Sequence, residues 1–182
     1  MKVRAGGIPD IRILEPDVFR DERGLFFESY NARVLSDLGI PATFVQDNHS
    51  RSRRHVVRGL HYQLRRPQGK LIHVVAGEVL DVAVDIRPAS ATFGQHVALV
   101  LSSETREIVW IPPGFAHGFA VRSEVCDLVY KTTGFYAPED ERAILWSDPD
   151  LGIEWGVTGE PILSARDRSA PPLAHAELPT GD

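Results

Sequence analysis

Short apolar-rich runs alternate with clusters of turn residues through the first two-thirds of the chain, a pattern that predicts antiparallel strands in a sandwich or barrel rather than helices or a parallel sheet. The runs at 71–76, 79–86, 96–101, 108–111 and 126–132 have the β-branched composition and the length of strands. Between them stand Ala76-Gly77-Glu78, Arg87-Pro88-Ala89-Ser90, Ser102-Ser103-Glu104 and Pro112-Pro113-Gly114. Connections this short suit antiparallel neighbours, because a parallel crossover is much longer. One minor helix is predicted at 32–38, with Asn31 as its N-cap and Gly39 just past its end. No repeat or linker interrupts the pattern, so one domain is expected over 1–182, with the Pro- and Ala-rich tail 171–182 peripheral.

Alternation also sorts candidate site residues. In the run 79–86, Leu80, Val82, Val84 and Ile86 share one face, and Val79, Asp81, Ala83 and Asp85 share the other. Two acids beside Val79 and Ala83 fit a partly polar barrel interior that holds a ligand; the alternative is a solvated outer face. Asp85, at the strand end, is assigned to solvent, and Asp81 stands between the two readings.

Composition narrows the class. With 182 residues, 43% hydrophobic and 25% charged, the chain has the makings of one complete core. A formal net charge of -5 argues against a nucleic-acid partner but leaves room for a small anionic ligand where basic residues converge. No run is long enough to span a membrane and the N-terminus lacks a secretory apolar region, so a cytoplasmic location is expected. Cys126, the one cysteine, reads as a packed strand residue within 125–129.

The candidate chemistry centres on Arg58-Gly59-Leu60-His61-Tyr62-Gln63 and on His117, which a rigid Pro112-Pro113-Gly114 turn delivers to the start of a new strand. Pro-x-Gly-x-x-His is similar to the second half-motif of the cupin barrels, whose first half supplies a His-x-His pair and a glutamate for a metal. In this chain that pair reads His61-Tyr62-Gln63. A set made of His61, His73, His117 and Glu78 is imaginable, but nothing in the spacing demands it, and neither metal nor cofactor is expected. Proton transfer by histidine is the favoured chemistry, since imidazole titrates near neutrality. Arg51, Arg53 and Arg54 read as a solvated basic face. Arg58, flanked by Val56, Val57 and Leu60 and three residues from His61, is suited to gripping a phosphate at two points.

Further stretches extend these motifs: 21–28, 44–50, Gly69-Lys70-Leu71, 81–87, 111–119, Tyr130-Lys131 and Ser164-Ala165-Arg166-Asp167. Together, in order from about Pro9 to Pro172, they resemble the dTDP-4-dehydrorhamnose 3,5-epimerase family. The resemblance implies an all-β, cupin-type jelly roll of antiparallel strands with one or two short peripheral helices. It also implies a metal-free homodimer acting on a dTDP-linked 4-keto-6-deoxyhexose. By the same resemblance His61 is the base, Asp167 its orienting partner, Tyr130 the opposing proton donor, Lys70 the cation that holds the enolate oxygen, and Asp81 a support behind them. Without the resemblance, Tyr130 would read as a core tyrosine and Asp167 as a surface loop residue.

Substrate binding carries over to Arg23, Glu28, Gln46, Asp47, Asn48, Arg58, Lys70, His117, Glu141 and Arg166, with Arg23 and Arg58 on the diphosphate. The N-terminal strand is implied to reach the neighbouring subunit, so that Arg23 acts across the dimer. Strict alternation opposes Arg58 and His61, and a bulge or twist at Gly59 is predicted to bring both to the cavity. Three positions depart from the family pattern: His73 for arginine, Arg166 for lysine, and Gly134-Phe135-Tyr136 for Asn-Tyr-Tyr, where Phe135 keeps a ring for stacking on the thymine. The rival readings are an epimerase of carbon 3 or carbon 5 alone, a non-catalytic sugar-nucleotide-binding cupin, and a metal-dependent cupin oxygenase.

Overall fold

The computed structural model describes residues 1–40 and 43–179, so the end of the tail, 180–182, lies outside the described residues. In chain order the strands are β1 (Lys2–Gly6), β2 (Ile8–Glu15), β3 (Val18–Asp21), β4 (Gly24–Phe27), β5 (Gln46–Arg53), β6 (Val57–Gln63), β7 (Lys70–Ala76), β8 (Glu78–Asp85), β9 (His96–Ser102), β10 (Ile108–Ile111), β11 (Phe115–Val121), β12 (Val125–Thr132) and β13 (Glu141–Ala143). The five runs read as strands are all strands, shifted by a residue or less at their ends. Helix α1 (Ala32–Asp37) starts where expected: the Asn31 side chain accepts the Arg33 and Val34 amides at 3.0 and 3.3 Å, and Gly39 takes φ +72° just beyond its end. A second helix, α2 (Ala165–Arg168), is a single turn.

Two antiparallel sheets form the barrel, one in the order β1-β2-β10-β7-β12-β5 and the other β13-β6-β11-β8-β9. Their inward faces share one core: Ile11 and Ile13 of β2, Ile72 and Val74 of β7 and Leu128 of β12 meet Val79 and Ala83 of β8 and Phe115 and Phe119 of β11. This is the jelly-roll architecture expected. Parts of the outer faces are covered too. Segments after Ala143, including Ile144, Leu151 and Trp155, pack on Val82 and Val84 of β8 and on Ile86 just beyond it, and Leu35 and Ile40 pack on Leu14, Leu71 and Trp110. In the tail, Leu173, Ala176 and Leu178 lie against the first of these outer cores. Cys126 is a packed strand residue, 1% exposed.

The two faces read from 79–86 are real, but both are largely buried. Asp81 and Asp85 point into the barrel, 2% and 0% exposed, which corrects the assignment of Asp85 to water. Burial pushes the Asp85 carboxyl up, but hydrogen bonds from Arg87, Ser90 and Thr92 outweigh it and hold it well below the usual range. Asp85 therefore ties down the turn after β8. Arg51, Arg53 and Arg54 are exposed, as read.

The feature that shapes the site is a mismatch between β6 and β11. His117 lies opposite His61 and Phe119 opposite Arg58, so three steps along β6 match two along β11. The surplus sits at Gly59, in a positive-φ conformation of +123°. A side chain there would place its Cβ 2.5 Å from the Gly118 Cα and 2.8 Å from the His117 carbonyl oxygen. Two glycines back to back thus let the strands approach and the bulge form, in agreement with the expectation at Gly59. Gly59→Ala is expected to cost about 2 kcal/mol or more of stability, read as a lower urea midpoint. An unchanged midpoint would contradict this view of the bulge.

Candidate active site

With the bulge in place, Arg58, His61 and Gln63 of β6 all line a cavity of about 340 Å³ at one end of the barrel. His117 of β11 joins them from the same sheet; Gln46 and Asn48 of β5, Lys70 of β7 and Tyr130 of β12 come from the facing sheet. Glu141 of β13, paired with Gln63, adds a carboxylate at the edge. The barrel interior is apolar at its core and polar where these residues converge.

His61 and Asp167 form the central pair. The imidazole Nε2 and the Asp167 Oδ1 are 2.5 Å apart, with Asp167 only 2% exposed. Ser164 caps α2 by accepting the Asp167 amide at 3.1 Å, which fixes the carboxylate on the turn. Burial pushes the Asp167 carboxyl up, yet hydrogen bonds and charge from His61, the Ser164 hydroxyl and the Gly59 amide together hold it below its ordinary value. An ionised Asp167 selects the tautomer with a proton on Nε2 and leaves Nδ1 as the ring's basic nitrogen. The surface-loop alternative for Asp167 does not hold, because docking of α2 against β6 buries it.

Lys70 is 8% exposed, and its Nζ donates to the His61 carbonyl at 3.4 Å across the barrel. Burial brings its pKa down to about 8, against the opposing pull of Asp81 and Glu141. Asp81 Oδ2 meets His117 Nε2 at 2.8 Å; burial lowers the His117 pKa despite that partner, favouring the neutral ring. Tyr130 is pushed up by burial, so its phenol stays protonated at neutral pH. The Arg58 guanidinium donates through Nε and Nη2 to the Ser52 hydroxyl at 3.1 and 3.0 Å, leaving Nη1 for a ligand. Glu141 accepts from Tyr136 Oη and Arg166 Nη1, each at 2.5 Å.

Several expected residues are not brought to this cavity by a single chain. Arg23 sits in the β3–β4 hairpin with its side chain 86% exposed and paired to Asp21, and Glu28 is exposed beside Asn31. Asp47 stands on the outer face of β5, where Lys131 Nζ donates to it at 2.9 Å, because alternation sends Gln46 and Asn48 inward. Phe135 is 70% exposed and contributes only its carbonyl oxygen, to Gln63. The neighbouring Tyr136 lines the cavity instead. Nor are His61, His73, His117 and Glu78 gathered as a ligand set. His73 lies on the face of β7 opposite Lys70, with its ring edge-on to Phe27 at 5.6 Å. Among the described residues no three His, Cys, Asp or Glu side chains converge as metal ligands would.

Sequence reasoning missed Ser52, Gln68 and Tyr136. Alternation from Gln46 and Asn48 would have carried the inward face of β5 to Ser52; the loop holding Tyr136 has no periodicity to read.

Comparison with known proteins gives a consistent result. The family described as dTDP-4-dehydrorhamnose 3,5-epimerase matches residues 6–175. A protein of that name from Pseudomonas aeruginosa is 54% identical over 178 residues, 97% of this chain and 98% of the relative. A dTDP-6-deoxy-D-glucose-3,5-epimerase from Legionella pneumophila, solved in complex with dTDP-4-keto-L-rhamnose, is 47% identical with a TM-score of 0.96, covering 100% of this chain and 98% of the other. A dTDP-4-dehydrorhamnose 3-epimerase from Streptomyces niveus is 38% identical over 186 residues, 99% of this chain and 89% of the relative.

The burial of Lys70 has a direct test. In NMR of lysine-labelled protein its ammonium is expected to titrate near the value of about 8 that burial imposes. The unfolded chain keeps that proton to higher pH, so the contribution of Lys70 to stability rises as pH climbs above about 8. Titration in the ordinary lysine range would contradict a desolvated cation.

Proposed function

Because the chain belongs to the dTDP-4-dehydrorhamnose 3,5-epimerase family, we propose that it inverts carbons 3 and 5 of dTDP-4-dehydro-6-deoxy-D-glucose by acid-base catalysis through an enolate. The product is dTDP-4-dehydro-L-rhamnose, a step of dTDP-L-rhamnose biosynthesis. The observation that carries the mechanism is the position of two proton-carrying groups on facing sheets, His61 on β6 and Tyr130 on β12, with one cavity between them.

Inverting a carbon beside a ketone needs a base on one face of the ring and an acid on the other. His61 Nδ1 takes the proton, and Asp167 stabilises the imidazolium as it forms. The electrons move onto the carbonyl oxygen, where the Lys70 ammonium holds the developing charge. A preorganised donor of this kind in a dry site contributes on the order of 3 kcal/mol. Tyr130 returns a proton to the opposite face, completing inversion. Asp81 acts through His117, fixing that ring against the substrate, and lends its charge to keep Lys70 protonated. Arg58 holds the diphosphate, Gln46 and Asn48 address the sugar or base, Arg166 holds Glu141 in place, and the ring of Tyr136 offers its face to the thymine.

The reading includes a homodimer. The β3–β4 hairpin pairs with neither main sheet, and Phe19 and Phe26 are 65% and 70% exposed on it. Exchange of this N-terminal region between two copies would cover those rings and carry Arg23 and Glu28 to the partner's cavity. Among the described residues no helix is long and apolar enough to cross a membrane. The unpaired Cys126 suits a reducing compartment, and a cytoplasmic location completes the reading.

Incubation with dTDP-4-keto-6-deoxyglucose in heavy water, followed by NMR, tests the function. Deuterium is expected at both carbon 3 and carbon 5. Label at carbon 3 alone would instead align the protein with its 38% identical 3-epimerase relative, and no label at either would sink the reading.

A further inference from the structure

Gln63 ends β6 with its side chain 3% exposed, and its amide is fully engaged. Nε2 donates to the carbonyl oxygens of Arg66 at 3.1 Å and Phe135 at 3.3 Å, while Oε1 accepts the Ala137 amide at 2.7 Å. Tyr136 lies between the last two partners. Its own amide donates to Gln46 Oε1 at 2.9 Å, and its hydroxyl reaches Glu141. One residue earlier, the Gly134 carbonyl accepts from Gln68 Nε2 at 2.6 Å and Thr132 Oγ1 at 2.9 Å.

The segment 133–137 belongs to no strand or helix, so no sheet ladder fixes its path. Backbone hydrogen bonds hold its two ends, from the Thr133 amide to the Gly69 carbonyl and from the Asp140 amide to the Ala137 carbonyl, and between them side chains do so, with Gln63 gripping the backbone on both sides of Tyr136. The Tyr136 ring is 49% exposed and lines the cavity, a place where an aromatic face is open to a planar ligand. Its location depends on the path of this loop, which Gln63 shares the task of holding with Gln46, Gln68 and Glu141. Gln63 also occupies the second histidine position of the cupin-like first half-motif.

We propose that Gln63 is a positioning residue for nucleotide recognition: by bracketing the Phe135 carbonyl and the Ala137 amide it sets the Tyr136 ring as the wall that receives the base of the substrate. This rests on the dTDP-sugar reading of the cavity. Gln63 touches no reacting atom and acts through Tyr136. Replacing it by glutamate keeps one acceptor, removes both donors and sets a carboxylate against two carbonyl oxygens, so the bracket opens.

The test is dTDP binding by calorimetry to the full-length wild type, Gln63→Glu, Tyr136→Ala and the double variant, with steady-state kinetics alongside. Gln63→Glu is expected to weaken dTDP about tenfold and raise KM similarly, with kcat within about threefold. In the Tyr136→Ala background it should add almost nothing, because the group it positions is gone. An equal loss in that background, or unchanged dTDP affinity, overturns the role. Should the glutamate variant not fold, amide exchange of the wild type decides: a protected Ala137 amide supports the bracket, and exchange at the unstructured rate overturns it. A wild type that does not bind dTDP overturns the function itself, whereas binding with an indifferent Gln63→Glu removes only this role.

Discussion

The site depends on the contact between Gly59 and Gly118. Two strands approach there so closely that a Cβ on either glycine would collide with the backbone of the other strand. The surplus residue this admits into β6 turns Arg58 and His61 to one side, where a regular strand would part them. It also presents the Gly59 amide to Asp167, so Asp167 and His61 are fixed by the same irregularity. Arg58, His61 and Asp167 are therefore one geometric unit.

Around that unit the fold separates apolar from polar space with little waste. Parts of each main sheet's outer face are covered by segments from elsewhere in the chain, and the inner faces carry function at one end. Lys70 can be buried because Asp81 and Glu141 lie near enough to offset part of its desolvation. A cation held this way is already stripped of water and needs little reorganisation when negative charge develops beside it. Asp81 belongs to two devices at once, the His117 hydrogen bond and the field at Lys70, so its charge is built into the site.

The strands were legible because a two-residue period leaves a direct trace in the sequence, and the α1 cap because Asn31 and Gly39 have local causes. The bulge was legible for a similar reason, as the conflict between Arg58 and His61 had to be resolved at a glycine. Asp85 was misread because its place at a strand end says nothing about the Arg87, Ser90 and Thr92 side chains that fold back over it. The burial of Asp167 arises only when α2 docks on β6, a contact between residues about a hundred positions apart, and resemblance supplied what local pattern did not. Phe135 and Tyr136 are adjacent rings in an aperiodic loop, and only the three-dimensional bracket by Gln63 and Gln46 decides which one faces the cavity. Arg23, Glu28 and Asp47 show a different limit: a single chain holds them away from His61.

Site-resolved exchange in two variants separates the roles of the two facing sheets. In heavy water, His61→Ala should abolish deuterium uptake at both carbons, since no base remains to form either enolate. Tyr130→Phe should keep uptake at one carbon or more while blocking completed inversion, since the base is intact and only the opposing donor is gone. Equal loss of uptake in both variants would contradict separate roles for the two residues.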